Sequence, residues 1–270
     1  MKIECEVSYD AGQDRLVGGD FFREIQGHWS RSLLMPEVHA WPLLERLQQL
    51  HTAYTAENRT GDHAPYPRVL TVIDPEGLPG TIDGRPEILP LDLAFTAAGL
   101  RSAPAAYRDV VLQMVCIVQE PVTLAERPPE TASARRDLAA NMFSVLGCAH
   151  RRLHLALSRG AGSSVDPAAI SPAGHFQDLY FLVGPGDLPG AQLHQSQQCD
   201  LTRAVSLLIQ AGGGPDGLNS TLCDAAAAYW RTRSFPPGLG TLIGRIASDG
   251  KAAAPQRVAE LADAFLSGGY

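Results

Sequence analysis

The 270-residue chain has almost no lysine: Lys2 and Lys251 are the only two, so arginine supplies nearly all of its positive charge. With Lys+Arg 22 against Asp+Glu 29 the net charge is -7, which works against capture of polyanions such as nucleic acid or an acidic membrane surface. Cysteine is sparse, odd in number and scattered (Cys5, Cys116, Cys148, Cys199, Cys223), with no C-x-x-C pair. That spacing excludes a disulfide framework and a zinc knuckle and fits the reduced thiols of a cytoplasmic protein. No apolar run approaches the ~20 residues that span a bilayer, and Met1–Val7 alternates charged and apolar residues instead of carrying a secretory core. A nucleophile elbow and a Walker loop are both missing, and Gly184-x-Gly186 with Gly190 is too rich in proline to open a nucleotide-binding helix.

What is present is apolar content of 45%, enough for a sizeable buried core in a chain of this length. Lys2 to Val7 alternates with period two and reads as a short strand. Phe21, Phe22, Ile25, Trp29 and Leu33 recur at helical spacing, and a second helical run follows Pro42 with Leu43, Leu44, Leu47, Leu50 and Tyr54. Residues 68–95 pair β-forming Val69, Leu70, Val72 and Ile73 with the turn signals Asp74-Pro75-Glu76-Gly77 and Asp83-Gly84, which predicts a small β-hairpin or meander. The apolar run Ala105–Val118 reads as a buried helix that Pro121 stops. Thr131 or Ser133 is placed to cap a helix running to Arg159, and three more helices are expected at 200–211, 219–230 and from 255 onward. His175–Val183 fits a strand or a short helix. The fold class expected is mainly α: a helical, bundle-like single domain over 1–270 with a small β element at about 68–95.

The chemistry-bearing residues concentrate between Arg135 and His154. At about 100° per residue, Leu138, Met142, Val145, Leu146, Ala149, Leu153 and Ala156 share one helical sector, while Phe143, Gly147, His150 and His154 fill the sector beside it. Two imidazoles one turn apart reach a common metal ion. Gly147, one turn before His150, leaves room for a substrate or a flat cofactor. A third ligand then comes from elsewhere, and His175 with Asp178, spaced H-x-x-D, are the first candidates, followed by His194. Two histidines and a carboxylate with open positions suit non-haem Fe(II). The pair lacks the glutamate of H-E-x-x-H, which disfavours a zinc peptidase, and H-x-x-D does not match the H-x-D of 2-oxoglutarate oxygenases. The same histidines also fit a purely structural role, packing or capping the helix. Arg101, Arg203 and Arg231 are candidates for gripping a substrate carboxylate, or simply helix-end arginines.

Two local likenesses bear on this. Glu24-Ile25-Gln26-Gly27-His28-Trp29 resembles part of the H-E-x-x-G-H motif of pterin-dependent aromatic amino acid hydroxylases, with Arg23 where their first ligand histidine stands. His150 or His154 followed by Arg159-Gly160-Ala161-Gly162-Ser163-Ser164 is similar to the order of axial histidine and glycine-rich loop in tryptophan 2,3-dioxygenase-like haem proteins. In length, composition and scattered histidines the chain resembles iron-dependent oxidases of actinobacterial specialised metabolism. That resemblance implies a small amino-acid-like substrate, dioxygen and a reduced pterin. The expectations are therefore an Fe(II)-dependent oxygenase or desaturase, a haem-dependent dioxygenase, or a non-catalytic binding or assembly protein. All three are soluble and cytoplasmic, with a homo-oligomer compatible with each.

Overall fold

A computed structural model describes the backbone of residues 2–5, 7–10, 15–18, 20–25, 28–58, 64–66, 69–73, 79–80, 92–95, 114–119, 129–158, 170–171, 174–176, 179, 182–236 and 238–267. Side chains are described for 40–58, 64–66 and the residues of that set from 129 onward. The chain divides into two compact units, Met1–Gln48 with Pro67–Val122 and Gln49–Tyr66 with Thr123–Tyr270.

The first unit holds the strands: β1 (Lys2–Cys5), β2 (Val7–Asp10), β3 (Arg15–Gly18), β4 (Asp20–Ile25), β5 (His28–Pro36), β6 (Val69–Ile73), β7 (Pro79–Gly80), β8 (Asp92–Phe95) and β9 (Met114–Gln119). Five of them form a sheet in the order β4-β5-β9-β6-β7, every neighbour antiparallel. β1 pairs with β8 in parallel, and β2 with β3 antiparallel. Two helical expectations are corrected here. Phe21, Ile25, Trp29 and Leu33 lie four apart, a spacing that satisfies period two as well as a helical turn, and the chain uses it as the hairpin β4–β5, closing on Ile25 paired with His28. The apolar run before Pro121 contains the central strand β9, whose Val115, Ile117 and Val118 are β-branched residues suited to a strand flanked on both sides. Residues 105–113 lie outside the described set.

Helix α1 (Glu37–Glu57) starts directly after Pro36 and takes Pro42 within it. Its Ala40, Leu43, Leu44, Leu47, Leu50 and Ala53 are buried at helical spacing. The second unit continues with α2 (Ala132–Gly147), a π-turn (Cys148–Arg152), α3 (Gly190–Ala211), α4 (Gly214–Trp230), α5 (Leu239–Asp249), a 3-10 turn (Gly250–Ala252) and α6 (Pro255–Ser267). Taken together, the described residues are mainly helical, and none of these helices is long and apolar enough to cross a membrane.

Thr131 caps α2 as its position predicts: it is extended, and its hydroxyl accepts from the Ala134 N–H at 3.1 Å. α2 packs along α4, α3 along α6, and α5 against α4 and α6. Phe143, Tyr229 and Phe265, all fully buried, meet at ring separations of 5.2–5.3 Å where α2, α4 and α6 converge. α3 and α4 are joined at Gly212, Gly213 and Gly214, whose φ values of 73°, 114° and 72° are open to glycine at little cost.

Candidate functional site

α2 does not run to Arg159. It is regular to Gly147, widens into the π-turn and gives way to an irregular segment after Arg152. Arg151 donates to the Tyr229 carbonyl at 3.1 Å and lies over the Trp230 ring at 4.3 Å, while Arg152 pairs with Glu57 at 3.0 Å. These contacts hold the turn open, and the Leu155 N–H reaches back to the Ala149 carbonyl at 2.9 Å. His150 and His154 therefore do not share a helical face. His150 is buried within the turn; His154 is exposed beyond it, at a φ of 53°.

The buried histidine sits in a polar network that joins the π-turn to α3 and α4. Its Nε2 is 3.3 Å from Asp200 Oδ2, and its Nδ1 is 3.5 Å from the Tyr229 hydroxyl. Asp200 also accepts the Leu157 N–H on Oδ2 at 2.7 Å and the Ser158 hydroxyl on Oδ1 at 2.5 Å. With both of its oxygens accepting, Asp200 accepts a hydrogen bond from the Nε2–H of His150, which leaves Nδ1 to accept from Tyr229. In that tautomer the single in-plane lone pair of the imidazole lies on Nδ1 and faces the Tyr229 hydroxyl.

One turn before Asp200 on α3, Gln197 donates to the Leu155 carbonyl at 3.1 Å, and Ala156 exchanges both backbone hydrogen bonds with Val183 at 2.9 and 3.0 Å. Leu155 and Ala156 thus have both backbone groups paired and Leu157 its N–H, which offsets the cost of running irregular chain through a core. Asp200, Gln197, Ser158 and Tyr229 are functional neighbours that sequence spacing missed. The available signal was polar residues on an apolar face: Leu193, Leu201, Ala204, Val205 and Leu208 line the buried side of α3, and Ser196, Gln197 and Asp200 interrupt it.

The order Tyr229–His150–Asp200 has the form of a nucleophile, a base and an orienting carboxylate. Its environment opposes that chemistry. Tyr229 is fully buried among Phe265, Trp230 and His150, and desolvation pushes its hydroxyl well above the ordinary value of 10.0. His150, Asp200 and Ser158 are buried with it.

The remaining candidates stand apart. A Cβ on Gly147 would come within 2.4 Å of the Tyr229 carbonyl oxygen, so the space expected for a flat cofactor is filled by the backbone of α4. His175 is half-buried; its carbonyl accepts from the Ser171 N–H, and its own N–H donates to the Ser171 hydroxyl. Burial lowers its pKa from 6.5. His194 is exposed and lies 3.8 Å from Asp263. Asp178, Arg101 and the side chains of Arg23, His28 and His39 lie outside the described residues.

Arg203 keeps a buried NH1 without a hydrogen-bond partner among the described residues, and Arg231 is engaged with Glu57 and Asn58. Among the described residues, no three His, Cys, Asp or Glu side chains are grouped to hold a metal ion. An open cleft of about 510 Å³ between α5 and α6, lined by Leu239, Leu242, Arg245 and Ala264 among others, contains none of these candidates.

No family model and no curated protein matches the chain. The site is therefore read from its own geometry.

Proposed function

We propose that this chain is a non-catalytic binding or assembly protein whose histidines are structural. The observation that carries the reading is His150: buried, with both ring nitrogens engaged, in a network whose donors and acceptors serve the packing of Leu155–Ser158. Among the described residues the polar groups of this network pair with one another. The scattered thiols, of which Cys148, Cys199 and Cys223 are free, go with a cytoplasmic location.

The competing reading is an Fe(II)-dependent oxygenase or desaturase for an amino-acid-like substrate, with a reduced pterin or, in its haem form, an axial histidine. It needs His150 to give up a partner and His154 to turn inward.

Metal analysis and an absorption spectrum on protein purified without a chelator or a nickel column separate the two. The structural reading expects no stoichiometric metal and no Soret band. Stoichiometric iron that disappears in His154→Ala with helical circular dichroism intact would overturn it in favour of the non-haem enzyme, and an intense Soret band would favour haem.

A further inference from the structure

In a chain of net charge -7, one end of the second unit gathers arginines with few opposing charges. Arg151 and Arg152 leave the π-turn, Arg231 ends α4, and Arg233 lies in the turn that follows; all four are exposed. Arg152 and Arg231 share the carboxylate of Glu57: Arg152 reaches its Oε1 at 3.0 Å and Arg231 its Oε2 at 3.1 Å. Arg231 also donates to the Asn58 side chain at 3.3 Å and to the Glu57 carbonyl at 2.5 Å, which caps the C-terminus of α1. Arg233 makes no hydrogen bond or ion pair among the described residues. Two guanidinium groups thus meet one carboxylate, and Arg151 and Arg233 beside them add cationic charge that no described carboxylate contacts. Beneath Arg151 lies Trp230, more than nine-tenths buried, and its indole N–H has no acceptor among the described residues. The surface therefore offers fork-shaped donors in excess of the acceptors the fold supplies.

We propose that this surface, Arg151, Arg152, Arg231 and Arg233 around Glu57, docks an acidic segment of a partner protein, rich in Asp and Glu. The inference rests on the reading of the chain as a binding module and names its partner class. Carboxylates match guanidinium geometry two bonds at a time, and a short acidic run presents several of them to neighbouring arginines at once. A nucleic acid fits less well. Single-strand binders present exposed aromatic faces for base stacking, whereas the indole here is covered by Arg151, and duplex binders neutralise many more phosphates against a chain that is not itself acidic.

The test is fluorescence anisotropy of a fluorescein-labelled all-glutamate peptide titrated with the full chain at low and high ionic strength. A thymidine oligonucleotide of equal charge is run alongside, with sedimentation of the protein alone. The peptide is expected to bind, to be released by salt, and to lose about two- to fivefold in affinity with Arg233→Gln and about tenfold with Arg151→Gln/Arg233→Gln. Arg233 makes no hydrogen bond or ion pair among the described residues, so its single substitution keeps the result readable if the double variant is destabilised.

Absence of peptide binding, or binding indifferent to both variants, overturns the proposal. So does tighter binding of the oligonucleotide, which would mark a nucleic-acid surface, or self-association abolished by Arg233→Gln, which would mark a second copy of the chain as occupant. Failure here leaves the metal and absorption measurements unchanged, so it is distinguishable from failure of the structural reading of His150.

Discussion

Replacing Asp200 with alanine removes the acceptor of three donors at once: the Leu157 N–H at 2.7 Å, the Ser158 hydroxyl at 2.5 Å and His150 Nε2 at 3.3 Å. The serine hydroxyl can rotate toward another acceptor, but the Leu157 N–H is fixed by the backbone and the imidazole by its contact with Tyr229. Each stranded buried donor costs about 1–3 kcal/mol, and removal of one member of a buried polar set costs about 3–5 kcal/mol in total. At roughly 2–4 °C per kcal/mol for a domain of this size, the midpoint should fall by roughly 6–20 °C. Asp200→Asn keeps one acceptor oxygen and should lose about half as much. Denaturant titration followed by helical circular dichroism reads the free energy, and calorimetry the midpoint. Asp200→Ala combined with Ser158→Ala should cost less than the two singles added, because they share one hydrogen bond. An Asp200→Ala protein within about 0.5 kcal/mol of the parent would refute the claim that this carboxylate holds the buried segment in place.

Gly147→Ala drives a Cβ to 2.4 Å from a backbone oxygen that cannot swing aside, so α2 and α4 must separate; a loss of about 1–3 kcal/mol in the same titration is expected, and a neutral result would mean the helices are not in that contact. Burial, followed by the nearby Glu57, pushes the Cys148 thiol up to about 12, so in native protein near neutral pH a thiol reagent followed by mass spectrometry should label it last among Cys148, Cys199 and Cys223. Labelling of Cys148 as fast as Cys199 would contradict its burial. For His175, desolvation disfavours the imidazolium in the folded state, so the unfolded chain takes the proton first as pH falls. Its contribution is intact above 6.5 and declines as pH drops below that value toward the lower folded pKa. Midpoints across that interval should fall less steeply in His175→Gln than in the parent, and parallel curves would show that the group does not titrate differently on folding.

The helices legible in the sequence were those whose apolar residues keep a 3.6-residue period without interruption. α1, α4 and α6 qualify, and so does the start of α2, where Thr131 supplies the cap. α5 carries Leu239, Leu242, Ile243 and Ile246 at the same spacing, yet Gly240 and Gly244 fall inside it, each costing about 1 kcal/mol in an isolated helix, and the signal is lost although tertiary packing restores the helix. β4, β5 and β9 were misread for two reasons. A four-residue recurrence cannot separate strand from helix, and a short apolar run before a proline suits a central strand as well as a buried helix.

No breaker marks the end of α2: Cys148–Arg152 leave the α-helical path because Arg151 and Arg152 find partners on Tyr229 and Glu57, 78 and 95 residues away in sequence. That single departure decided the candidate site. A pair of histidines four apart points at one ion only while the helix continues, and here it stops between them. The burial of His150 was readable from its apolar surroundings, whereas its partners Asp200 and Tyr229, 50 and 79 residues on, were not. What the chain required at this position was an answer for the polar backbone of Leu155–Ser158 as it crosses the interior. Gln197 and Asp200 provide it from successive turns of α3, and His150 fills the acceptor capacity that remains on Asp200. The carboxylate that orients His150 is thus the one that pairs the Leu157 N–H, which ties the imidazole to the packing of this segment.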